Sequence, residues 1–211
     1  MAQRDWLAWH SPYEDPASPL SARLRLVQGH LRSELDRRPG GDLQLISMCA
    51  GQGRDVIDVL AEHARRGEVR ARLVELDPRN VEIARRAAAA AGLDGVEVEA
   101  ADAGSTDAYL GAVPAQIVLA CGVFGNVTDD DIARTVTALP SLCAAGATVI
   151  WTRHRRPPDA TAAVRGWFRE AGFAQEAFDI PDGTSFAVGV HRLAGPPQPV
   201  EPGQRLFSFT R

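Results

Sequence analysis

Apolar residues along this chain fall into short runs, each followed by a turn and then by a segment with helical spacing. Residues 43–49 (LQLISMC) form the first run and end at a Gly-rich turn, 50–53. In the helix expected next, Val56, Ile57, Val59 and Leu60 face inward while Glu62, Arg65 and Arg66 face outward. A second run, 70–76 (RARLVEL), leads to Asp77 as a candidate cap and Pro78 at a good helix-starting position. The alanine-rich helix over 79–91 ends at Gly92. A short third strand, 96–100, leads into Asp102-Ala103, and a fourth, 116–121 (QIVLAC), opens into GVFGN. Near Thr128 another helix begins, with aspartates 129–131 suiting the positive end of its dipole. The fifth strand, 147–151 (ATVIW), precedes a polar TRHRRPPD segment and a helix over about 160–170 that stops at Gly172. Residues 173–180 and 185–193 flank a Pro-Asp-Gly turn and predict an antiparallel pair. A proline-rich stretch, 195–203, leads to a last expected strand over 206–210.

Five strand-helix units closed by a hairpin predict an α/β fold with a doubly wound, mostly parallel sheet. Residues 1–40 precede the first strand and predict a helical lid or cap segment of one or two helices. Ser21 is the candidate cap for a helix over 23–35, and a domain over 41–211 follows. The length of 211 residues suits one domain with such an appendage, and 45% hydrophobic residues suffice for one core. No apolar run approaches the roughly 18 residues of a membrane span, and the charged, aromatic N-terminus lacks the apolar stretch of an export signal. The three cysteines, Cys49, Cys121 and Cys143, have unrelated spacings and fit reduced thiols in a cytoplasmic protein. A net charge of -4 argues against a general nucleic-acid partner. All 23 basic residues are arginine, which alongside abundant alanine points to coding bias rather than a phosphate-binding surface.

Candidate chemistry sits at the strand ends, where open parallel sheets bind ligands. The segment Ser47-Met48-Cys49-Ala50-Gly51-Gln52-Gly53-Arg54-Asp55 ends the first strand. Its glycines allow a tight turn and close ligand approach, although a plain strand-to-helix turn would look the same. Glu75 ends the second strand 24 positions after Gly51, where a carboxylate can accept both hydroxyls of a ribose or simply be solvated. Asp102, followed by Ala103, can accept a hydrogen bond from an adenine amine or cap a helix. In order at successive strand ends, these three features are far more specific than any one of them.

Over roughly residues 43–190 the sequence resembles the class I S-adenosylmethionine-dependent methyltransferases, which have a Rossmann-like fold. Small stand-alone enzymes of actinobacterial type look most similar, through the CAGQGRD, ACGVFGN and WTRHR segments. The resemblance implies S-adenosyl-L-methionine as cofactor, with Ala50, Gly51 and Gly53 along its methionine and ribose. It also implies Glu75 and the adjoining Leu76 at the ribose, Asp102 with Ala103 at the adenine, and Cys121-Gly122 at the methionine end. Ser47 stands where the family usually has an acid, and Cys49 where it has its first glycine. An oxidoreductase using NAD(P) or flavin is the main competing enzyme class, but its fingerprint wants a third glycine at position 56, which is Val56. A cofactor-binding regulatory module without turnover is the other alternative.

Methyl transfer requires chiefly that nucleophile and methyl be held about 3 Å apart and aligned, with a base needed only for a protonated nucleophile. Trp6, Trp9, His10 and Tyr13 form either a lid touching the ligand, with His10 a candidate base, or a hydrophobic docking helix. In the loop after the fourth strand, Phe124 is expected to wall the acceptor pocket and Asn126 to orient a polar group. That loop lacks the Asn/Asp-Pro-Pro-aromatic segment usual in nucleic-acid amino-methylating enzymes, so the resemblance implies a small-molecule acceptor. Arg153, with His154 as candidate base, is expected to recognise an acidic or carbonyl-bearing acceptor from a loop after the fifth strand. The alternative for that segment is a solvated basic turn pairing with aspartates 129–131 or the acidic hairpin. The five histidines show no zinc-ligand spacing, so no metal is expected.

Overall fold

The computed structural model describes residues 5–9 and 11–209, apart from the side chain of Trp9. Its elements run α1 (Trp6–Trp9), α2 (Pro19–Arg37), β1 (Leu43–Met48), α3 (Arg54–Glu62), β2 (Val69–Glu75) and α4 (Pro78–Ala90). Then follow β3 (Val96–Ala100), β4 (Ala115–Ala120), α5 (Asp129–Ala138), β5 (Cys143–His154), α6 (Thr161–Glu170), β6 (Phe173–Asp179) and β7 (Phe186–Leu193). One seven-stranded sheet has the order β3-β2-β1-β4-β5-β7-β6. Strands β1 to β5 pair in parallel, and β7 runs antiparallel to both β5 and β6. The expected doubly wound, mostly parallel sheet with a C-terminal antiparallel hairpin is therefore the fold observed.

Successive strand residues point to opposite faces, and both faces are covered. Leu45, Ile117 and Leu119 pack beneath α2, α3 and α4, with Val27, Leu31, Val56, Leu60 and Val81. Ile46, Val118 and Ala120 pack on the other face against α5 and α6, with Ile132, Val136, Val164 and Phe168. Each fully buried Leu, Ile or Val contributes about 1.5–3 kcal/mol. From β1 the chain winds outward through β2 to β3, then returns across the sheet to place β4 on the other side of β1. That reversal separates the loops leaving β1 and β4 and opens a cleft at the carboxyl ends of the strands.

Four local expectations are corrected. Helix α2 starts at Pro19, not near Arg23. Its cap is Ser18, whose side chain accepts from the Ser21 amide at 3.0 Å, and Pro19 supplies a preset φ at the first helical position. Helix α3 ends at Glu62, so Arg65 lies beyond it. Rather than facing solvent, Arg65 donates to the carbonyls of Leu35 (2.8 Å) and Arg38 (2.9 Å), tying the end of α2 to the loop before β2. Strand β5 extends through Thr152 and Arg153 to His154 because β7 pairs along its whole outer half. Residues 206–209 form no strand. Leu206 and Phe207 are buried, and the chain bonds to Gly104 and Arg134 instead of to a strand edge.

Trp151 on β5 is fully buried, stacks on Phe168 with centroids 5.8 Å apart, and donates its indole N–H to Nδ1 of His191 at 3.0 Å. His191 must stay neutral to accept that bond, and burial pushes its pKa down to about 4. A depressed histidine pKa favours the folded state fully above about 6.5, and that contribution is lost as pH falls toward 4. Urea unfolding from pH 7 to 4 is expected to show a loss of about 2–3 kcal/mol attributable to this group. That component should disappear in His191→Gln, and an unchanged pH profile in the variant would contradict the assignment.

Candidate active site

A cleft of about 530 Å³ opens at the carboxyl ends of the strands. Its floor comes from the loop after β1, where Cys49, Ala50 and Gly51 line the space. Cys49 (φ 51°) is the only non-glycine with positive φ among the described residues, and Gly51 (57°) and Gly53 (72°) follow in the same region. A β-carbon on Gly53 would sit 2.6 Å from Ile57 Cδ1 and 2.9 Å from Leu73 Cδ2, so both the backbone angle and the packing require glycine there. Gly53 lies at the head of α3, and it shapes the loop from beneath without lining the cleft.

Glu75, at the end of β2, is buried, and its two carboxylate oxygens accept from the amides of Gly51 and Asp77, each at 2.8 Å. Each oxygen retains a second lone pair for a ligand hydroxyl. Beside it Leu76 is 62% exposed, an apolar surface laid open in the cleft wall. Past β3, Asp102 accepts from the Gly104 amide (2.8 Å) and pairs with Arg205 (2.6 Å), with Ala103 adjacent. Cys121 and Gly122, leaving β4, complete this side.

The opposite wall is built by Trp6 and Tyr13 of the N-terminal segment, by Arg23, Leu24 and Val27 of α2, and by Phe209. Trp6 and Phe209 meet at 5.4 Å between ring centroids, and Arg23 donates to the Tyr13 hydroxyl at 2.9 Å. Burial raises the pKa of Tyr13 and of both cleft thiols, Cys49 and Cys121, so none is poised to ionise at neutral pH. Asp55 also lines the cleft, and burial lifts its carboxyl to about 6. Among the described residues no cluster of three His, Cys, Asp or Glu is arranged to hold a metal.

Residues 24–165, two-thirds of the chain, match the family described as "Putative methyltransferase". The chain belongs to this methyltransferase family. Among curated proteins, none matches the sequence. Its fold is shared with magnesium protoporphyrin IX methyltransferase from Synechocystis PCC 6803 with bound SAM (TM-score 0.65, 12% identity, 87% of this chain and 88% of that one). It is shared too with 1,6-didemethyltoxoflavin-N1-methyltransferase from Burkholderia thailandensis, bound to 1,6-didemethyltoxoflavin and S-adenosylhomocysteine (0.63, 15%, 90% and 87%). An rRNA methylase from Streptococcus thermophilus is a third example (0.61, 11%, 79% and 95%), so the fold leaves the acceptor open.

Several residues expected at the site of this methyltransferase family member lie elsewhere. Ser47 is buried behind the loop, its hydroxyl without a partner among the described residues, and it does not line the cleft. Phe124 is a core residue packed on Trp151 (6.0 Å) and Phe168 (6.4 Å), not a pocket wall, because the loop after β4 turns its ring under α6. Asn126 donates to the Gly122 carbonyl at 2.7 Å and braces that loop. Arg153 is buried on β5, donating to the Phe124 carbonyl and pairing with Asp129 at 2.9 Å, so its guanidinium ties the β4 loop to α5. His154 packs beside Gly125 outside the cleft lining, and burial and Arg153 lower its pKa. His10 and the side chain of Trp9 lie outside the described residues.

Sequence reasoning missed Asp55, Arg23 and Phe209. A signal existed for Asp55: a charge at the head of a helix, directly before the apolar pair Val56-Ile57. Phe209 arrives from the far end of the chain, which no local pattern indicates. Gly53→Ala is expected to destabilise the fold by about 1–3 kcal/mol, since it combines backbone strain with overpacking. Urea denaturation reads this directly, and a loss below about 0.5 kcal/mol would mean the loop relaxes freely.

Proposed function

We propose that this cleft binds S-adenosyl-L-methionine and that the protein transfers its methyl group to a small-molecule acceptor, leaving S-adenosyl-L-homocysteine. One observation carries the proposal: the glycine loop, Glu75 and Asp102 leave three different strands yet face one shared space. The strand ends carrying Asp102 and Cys121 are separated by β2 and β1, about 14 Å at ordinary sheet spacing, which suits an elongated ligand. Along it, Glu75 would accept from the ribose hydroxyls, and the exposed Leu76 and small Ala103 would flank the adenine. Asp102 would take the adenine amine while sharing its charge with Arg205. The loop at Ala50 and Gly51, with Cys121 and Gly122, would follow the methionine part. Buried Val56 stands where a pyrophosphate-binding loop needs its third glycine, so the residues fit an adenosyl group better than a dinucleotide.

The cofactor supplies an electrophilic methyl on a sulfonium, and the chain's part is to align the acceptor and exclude water. The N-terminal segment acts as the cover through Trp6, Tyr13, Arg23 and Val27, which form the wall facing the strand ends. A concave cleft of about 530 Å³, walled on one side by aromatic side chains, favours a small acceptor over a duplex or a protein surface. Proton removal is not assigned to His154, which stands outside the lining.

Calorimetry with S-adenosylhomocysteine is expected to give micromolar binding. Asp102→Ala should weaken it about tenfold or more, the loss of one charge-assisted hydrogen bond. Asp102 is half exposed, so the melting temperature should barely move. Absence of heat with the folded wild-type protein would overturn the proposal.

A further inference from the structure

We infer that Asp55 is the carboxylate that receives the α-ammonium group at the methionine end of the ligand, an inference that rests on the S-adenosylmethionine proposal above. Five carboxylates line the cleft, and four are engaged. Glu75 holds the amides of Gly51 and Asp77. Asp77 caps α4 and pairs with Arg79, which also takes Asp5. Asp102 is held by Gly104 and Arg205. Asp55 is held at the head of α3 by its own amide and that of Val56 and feels the charge of Arg23, yet it alone keeps a buried oxygen, Oδ1, with no hydrogen-bond partner among the described residues.

A buried acceptor without a partner is costly in a finished structure and marks a place where a donor belongs. Burial has already raised the proton affinity of this carboxyl to a pKa of about 6, so at neutral pH it is mostly charged and poorly solvated. Its position selects the donor. Asp55 acts electrostatically on Tyr13 and Cys121, which places it at the β4 side of the cleft, away from Asp102 on the β3 side. If the adenine lies at Asp102, the far end of an elongated ligand lies here, and an amino acid end brings an ammonium. Ser47 cannot meet that charge, being an uncharged hydroxyl buried behind the loop.

The test is a two-by-two calorimetric cycle: wild type and Asp55→Asn, each with S-adenosylhomocysteine and with its analogue carrying hydrogen in place of the α-amino group. Asp55→Asn is expected to weaken S-adenosylhomocysteine tenfold or more. The analogue should bind wild type with the same loss and be insensitive to the substitution. Equal weakening of both ligands, or of neither, would overturn the assignment. Should Asp55→Asn fail to fold, wild type decides alone, because an analogue as tight as the parent removes the ammonium contact. 5′-Methylthioadenosine separates the two levels. Wild type binding it with no contribution from the amino group sinks the Asp55 assignment alone, whereas wild type binding none of the three ligands sinks the cofactor proposal too.

Discussion

The parallel strands β1 and β2 end side by side, and the carboxylate of Glu75 fastens their exits together. One oxygen holds the Gly51 amide in the loop leaving β1, and the other holds the Asp77 amide at the head of α4. Charge-assisted bonds of this kind contribute about 1.5–3 kcal/mol each, more than most single contacts at a surface. Together with the bonds from the Ala50 amide to the Val74 carbonyl and from the Gly53 amide to the Ala50 carbonyl (2.9 Å each), they fix the direction in which the cleft floor faces. A residue proposed to touch a ligand is therefore also a brace, and its removal would reshape the site as well as subtract a contact.

The opposite wall is anchored at a distance. Helix α2 contributes Arg23 and Val27 near its start, while its far end is pinned by Glu34, which is buried. Glu34 pairs with Arg38 (2.7 Å), Arg192 (3.2 Å) and Arg37, and accepts from the Thr148 hydroxyl at 2.8 Å. Leaving such a buried charge unpaired costs about 3–5 kcal/mol. The antiparallel pair β5 and β7 thus sets where the far end of α2 lies, and through α2 it bears on the width of the cleft.

Much of this was legible in the sequence because periodicity and turn chemistry are local. Short apolar runs such as QIVLA marked strands buried on both faces, and Asp77-Pro78 marked a helix start. The ordered acids at positions 75 and 102 pointed to one ligand-facing edge. What escaped notice depends on partners remote in the chain. Thr152 and Arg153 look like loop residues by polarity. They are buried strand residues because Thr152 accepts from the Gly122 amide (2.9 Å) and Arg153 satisfies the Phe124 carbonyl. Leu206 and Phe207 look like the start of a last strand, yet bonds to Gly104 and Arg134 hold them as an irregular strap. The position of Asp55 at a helix head is legible, but its partnerless oxygen is a property of the surrounding space.

The contact between Trp6 and Phe209 sets an indole at the mouth of the cleft, whereas Trp151 is sealed in the core with its N–H committed to His191. Two tryptophans of one chain thus occupy surroundings of opposite polarity. The emission of Trp6 is exposed to whatever fills the cleft, and that of Trp151 is shielded from it. Of these two indoles only Trp6 can sense occupancy of the cleft, and the difference in emission between wild type and Trp6→Phe would isolate its signal from those of Trp9, Trp151 and Trp167.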